Sequence, residues 1–74
     1  MFYNFSMNTF SIRLKELRKE KGLTQKQVAD ILGISDKGYG YYELGQREPS
    51  IEGIKTLCDL YDVSADYLIG RSDY

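Results

Sequence analysis

Gly22-Leu23-Thr24-Gln25-Lys26-Gln27-Val28-Ala29-Asp30-Ile31-Leu32-Gly33-Ile34-Ser35, with Tyr42-Glu43-Leu44-Gly45 just after it, is the stretch that decides the fold. Gly22 reads as a left-handed helix stop, with Leu23 placed to fold back onto the last turn. Thr24 and Gln27 have the spacing of a capping box, which satisfies orphan amides at a helix start. Val28, Ala29 and Leu32 then form an inward stripe that Gly33 closes. Ser35 caps the next helix, which is expected to end near Leu44 with Gly45 as its stop. Two short helices across a tight turn make a helix-turn-helix unit, whose second helix can enter the DNA major groove.

Outward from that unit, the remaining pattern is also helical. Phe10, Leu14 and Leu17 share one helical face, so a first helix is expected over residues 9–21. Gln46-Arg47-Glu48-Pro49 is a polar loop containing the one proline. Ser50 starts a fourth helix, with Ile51, Ile54, Leu57, Cys58 and Tyr61 expected on one buried face. Ser64 caps a short fifth helix with Tyr67 and Leu68 inside, ended by Gly70. No strand alternation or repeat appears, and the reading is an all-α bundle of five helices.

Length and composition narrow the function. At 74 residues the chain is one domain at most. One cysteine allows no disulfide framework, and its reduced state fits a cytoplasmic setting. The absence of histidine and of a cysteine cluster argues against a zinc site, and no cofactor is called for. With Cys58 expected in the core, no nucleophile–base pair can be assembled, so the chain is not read as an enzyme. No stretch reaches the ~20 apolar residues of a membrane span, and the start lacks the features of a signal peptide.

Net charge is −1, but it is unevenly distributed. Residues 13–47 carry eight basic side chains against five acidic ones, whereas residues 48–74 carry two against six. The basic half contains the helix-turn-helix, a modest footprint of a phosphate-binding face.

Residues 14–71 resemble the phage-repressor, Cro-like helix-turn-helix family, also called the xenobiotic-response-element family. The matching pieces are Leu17-Arg18, Lys21-Gly22-Leu23-Thr24-Gln25, Leu32-Gly33-Ile34-Ser35, Tyr42-Glu43, Gly45, Arg47, Pro49-Ser50 and Val63-Ser64 with Asp66-Tyr67-Leu68-Ile69-Gly70-Arg71. Each is weak alone; their order and spacing are specific. The resemblance implies a lambda repressor-like five-helix domain over 9–71, an N-terminal extension over 1–8 and a tail over 72–74. It also implies a transcriptional regulator that binds an inverted-repeat operator in double-stranded DNA as a homodimer. A protein-interaction module, such as an antitoxin or the head of a larger regulator, is the rival reading.

Carried over by position, Gln25 matches the glutamine at the start of helix 2, where an amide can donate to a phosphate. Asp36, Lys37 and Gly38 match the base-reading start of helix 3, and Tyr41 the reader one turn later. Lys37 suits guanine O6 or N7, Tyr41 a thymine methyl or a phosphate, and Asp36 the helix dipole or cytosine N4. Gln46 and Arg47 match the loop that grips phosphates, and the fork of Arg47 suits that task. The family pattern also implies an ion pair between Arg18, late in helix 1, and Glu43, late in helix 3. Gly38 and Gly40 depart from the pattern by leaving two reading positions without side chains, each costing the helix roughly 1 kcal/mol relative to alanine. Two explanations compete for them: close approach of the backbone to the groove floor, with readout shifted to Lys37 and Tyr41, or weak readout on a surface that serves another partner.

Overall fold

Serine and threonine set the helix starts in the computed structural model, which describes residues 7–73. The Thr24, Ser35, Ser50 and Ser64 hydroxyls each accept from the backbone N–H three residues on, opening α2 (Gln25–Leu32), α3 (Asp36–Glu43), α4 (Ile51–Tyr61) and α5 (Ala65–Leu68). At Thr24 the capping box is complete, because its own N–H donates 2.8 Å to Gln27 Oε1. The first helix, α1 (Met7–Glu20), starts two residues before the expected position and ends one earlier. The aromatic residues Phe2, Tyr3 and Phe5 of the expected extension, and Tyr74, lie outside the described residues.

Helix ends follow a common hydrogen-bond pattern. After α2, the Gly33 N–H donates to Asp30 O and the Ile34 N–H to Ala29 O, with Gly33 at φ 73°. That left-handed turn directs α3 across α2, which is why glycine is suited to the centre of the unit. The fourth helix ends in the same way on Asp62, a non-glycine residue at φ 54°. Nothing in the sequence pattern marks that stop.

Phe10, Leu14, Val28, Ala29, Tyr39, Leu57, Tyr61 and Leu68 form one buried cluster contributed by all five helices. Leu17, Leu32, Tyr42, Ile54 and Cys58 pack around it, half-buried. The stripe expected on α4 needs one correction. Ile51 is 81% exposed, whereas Leu57 and Tyr61 are buried. Position 51 is the first residue after the Ser50 cap. Cys58 is half-buried rather than sealed, with burial, and then Asp59, pushing its thiol up. Tyr67 is likewise half-buried, under an arginine from α1. No described helix is long and apolar enough to cross a membrane.

Candidate nucleic-acid interface

The third helix has two unlike faces. Tyr39 is fully buried and Tyr42 packs edge-on against it, ring centroids 6.0 Å apart at 75°. Four residues after Tyr39 on the same side, Glu43 carries a side chain only 3% exposed. Arg18 Nε stands 2.6 Å from Glu43 Oε2, and Arg18 Nη2 donates to Oε1 at 3.0 Å. The third guanidinium nitrogen, Nη1, donates 2.9 Å to Leu23 O, in the turn between α1 and α2. Tyr39 donates its hydroxyl 2.6 Å to Glu43 Oε2.

This carboxylate is therefore buried but richly solvated by protein. Burial pushes the Glu43 carboxyl up, yet hydrogen bonds from Arg18, Tyr39 and Gln25 outweigh it and hold the group below the usual carboxylate range. The hydrogen bond to Glu43 raises Arg18 against the opposing effect of burial. Tyr39 moves upward through burial and its bond to Glu43. The third helix is thus pinned from behind by a charged network of Arg18, Tyr39, Gln25 and Glu43.

The other face of α3 is open. Lys37 is exposed and Tyr41, four residues on, is half-buried. Asp36 is exposed in the first turn. A Cβ placed on Gly40 meets nothing within 4 Å, so no neighbour within the protein requires glycine there. Gly38 differs. A Cβ there falls 3.1 Å from the Ser35 Oγ that accepts the Gly38 N–H at 3.0 Å, so the cap itself crowds the position.

Gln25 is the first residue of α2 and is exposed, but its amide is not idle. Nε2 donates to Glu43 Oε1 at 3.0 Å, fastening the start of α2 to the end of α3. That bond was invisible to spacing, because the two residues lie 18 apart. Gln46 and Arg47 are exposed beyond α3. The Arg47 guanidinium carbon lies 5.3 Å from the centre of the Tyr41 ring, which brings two expected site residues together. Sequence reasoning also missed Arg13, whose guanidinium stacks 4.1 Å from the Tyr67 ring and donates to the carbonyls of Tyr67 and Ser72. Of these contacts, Tyr39 with Tyr42 and Tyr39 with Glu43 had a local signal, the i,i+3 and i,i+4 spacings within one helix. Among the described residues no acidic, histidine or cysteine cluster could hold a metal ion.

A bundle with this capped pair of helices and one open helix face defines a helix-turn-helix domain. The family profile described as helix-turn-helix matches residues 14–68, and the chain belongs to that family. It is 48% identical over 59 residues to the HTH-type transcriptional regulator AnsR of Bacillus subtilis, covering 80% of this chain and 51% of that protein. It is 41% identical over 61 residues to the HTH-type transcriptional regulator ImmR of the same organism, covering 82% and 48%. The chain spans about half the length of these relatives. Among solved structures it is similar to a transcriptional regulator from Listeria innocua, with TM-score 0.79, 34% identity, and coverage of 82% of this chain and 57% of that one. The restriction-modification controller protein C.AhdI from Aeromonas hydrophila superposes with TM-score 0.73 at 35% identity, covering 84% and 94%.

Proposed function

We propose that the chain binds double-stranded operator DNA in the cytoplasm as a homodimer, with α3 in the major groove, and represses transcription. The observation that carries this reading is the division of α3: one face is locked to the core and the other presents Lys37 and Tyr41 to solvent. Asp36 and Gly38 complete the base-reading set with Lys37 and Tyr41, while Gln25, Gln46 and Arg47 are the phosphate contacts. Its relatives' roles as transcriptional regulators support the same conclusion.

Dimerisation draws support from an apolar groove on the side built by the α3–α4 loop, α4 and α5. Glu48, Pro49, Ile51, Ile54, Lys55, Ala65 and Ile69 line it, and no residue of α2 or α3 takes part. A second copy seated there leaves both reading helices free. Paired reading helices then meet half-sites about 34 Å apart.

Enrichment of random duplexes tests the proposal and should yield an inverted repeat. Binding should weaken steeply with salt, because phosphate contacts release counterions. Lys37→Ala should weaken binding to the selected duplex more than to random duplex, and equal loss on both would make Lys37 a phosphate contact only. Ile51→Glu should turn a sedimenting dimer into a monomer and reduce affinity for the full repeat. Gly40→Ala should stabilise the free fold by somewhat under ~1 kcal/mol, since the added methyl has room. The same change should impair operator binding if the backbone lies against the groove floor. The rival is a protein-interaction module, such as an antitoxin or the head domain of a larger regulator. Absence of salt-dependent duplex binding would select that rival.

A further inference from the structure

The phosphate-gripping residue Arg47 and the base-reading residue Tyr41 form one unit. Gly45, at φ 73°, turns the chain back at the end of α3. The N–H groups of Gln46 and Arg47 then both donate to Tyr41 O, at 2.9 and 3.4 Å. Backbone tethering thus holds the Arg47 side chain beside Tyr41, and its guanidinium carbon comes to 5.3 Å from the ring centre.

The surroundings of the ring give this contact weight. Tyr39 and Tyr42 are fixed by packing on the core side of α3, where they meet edge to face. Tyr41 faces the open side, and its neighbour Gly40 offers no side chain to pack against. Arg47 is the charged partner that the structure gives the Tyr41 ring. A guanidinium is planar and always charged, and it can stack on an aromatic face while its N–H edges stay free in the plane. An ammonium group can supply the charge but has no plane with which to do both.

We propose that Arg47 is a positioning residue for Tyr41: lying over the ring, it orients the base-reading side chain while its outward N–H groups hold a phosphate. Base preference at the Tyr41 position is thereby coupled to the anchoring of the loop. This inference rests on the DNA-binding reading above and adds that one residue of the loop acts on specificity as well as affinity.

Selection from random duplexes, repeated with Tyr41→Ala, identifies the base pair whose preference depends on the ring. Arg47→Lys is then compared with the parent, circular dichroism showing that each variant is folded. Arg47→Lys should bind random duplex within about two-fold of the parent, since the charge is kept. On the selected duplex it should lose a further two- to five-fold, the ratio that an exposed cation–π contact of roughly 0.5–1 kcal/mol supplies. Its preference should flatten at the same base pair as in Tyr41→Ala, and the double variant should be no worse on the selected duplex than Tyr41→Ala with its charge-matched loss on random duplex. If Arg47→Lys and Arg47→Ala weaken selected and random duplex equally with the preference intact, Arg47 is a phosphate contact alone and the proposal is overturned. If Tyr41→Ala leaves every preference unchanged while Lys37→Ala does not, Tyr41 is no reader; the coupling then fails although DNA binding stands. If the parent retains no duplex at all, the DNA-binding reading and this one fall together.

Discussion

Arg18 and Arg13 leave the same helix and fasten it to opposite parts of the chain, Arg18 to α3 and Arg13 to α5 and the segment after it. At the α1–α3 seam Arg18 meets a carboxylate that is 3% exposed, and its own side chain is 12% exposed. At the α1–α5 seam Arg13 meets two backbone carbonyls and a tyrosine ring, and its carboxylate partner Asp73, 3.7 Å away, is 98% exposed. Both arginines are held by several partners, but only one of them neutralises a buried charge. Removing Arg18 leaves an unmatched carboxylate in a poorly solvated site, whereas Arg13, itself 19% exposed, leaves behind only neutral carbonyls and a carboxylate already in water. The difference also reaches the proposed function, because the buried seam is what fixes the back of the reading helix.

Breaking the buried seam should produce the largest effect. Arg18→Ala is expected to cost about 3–5 kcal/mol in denaturant unfolding, since Glu43 would stay buried without its cation. A loss under 1 kcal/mol would mean that Tyr39 and Gln25 suffice to hold the carboxylate. The same seam should respond to acid. Glu43 lies below its ordinary range in the folded state, so its stabilising effect is fully present above the unfolded carboxyl value, about 4.3, and is lost as pH falls through the lower folded value. Stability measured from pH 6 to pH 2 should therefore fall through that window in the parent. Glu43→Gln, already weaker at neutral pH, should fall less steeply there; parallel slopes would assign the acid sensitivity to other carboxylates.

The peripheral seam should give smaller numbers. Arg13→Ala is expected to cost about 1.5–3 kcal/mol, the range for hydrogen bonds made by a charged group. Arg13→Lys should recover part of this, because the charge over Tyr67 is kept and the fork to two carbonyls is not. If Arg13→Ala proved as damaging as Arg18→Ala, burial would not be what separates the two seams. Asp73→Asn should be the mildest, within the ~0.5 kcal/mol typical of surface changes. A larger loss at low salt only would mark screened attraction to Arg13.

How far the sequence could be read follows the same division between near and far. Four helix starts were legible because a Ser or Thr hydroxyl reaches an N–H three residues away, and no other part of the fold is needed. The glycine stop at Gly33 is equally local. The end of α4 was not, since Asp62 takes the left-handed position that usually signals itself by glycine. Ile51 shows the limit of periodicity: its spacing matches Ile54, Leu57 and Tyr61, but a stripe cannot say which of its members are covered.

By itself, then, the sequence determined an all-α chain, the turn at Gly33, the open composition of the α3 face, and a family pattern that pairs Arg18 with Glu43. Spacing within α3 also places Tyr39 one turn from Glu43, but tertiary structure alone decided that the Gln25 amide, from the start of another helix, converges on the same carboxylate. It also decided that Arg13 grips carbonyls 54 and 59 residues away, and that Arg47 returns over Tyr41. Caps and stripes depend on neighbours within one or two helical turns, so residue order is enough to specify them. Contacts between distant residues depend on how helices cross and on where a loop turns back, quantities that residue spacing does not contain.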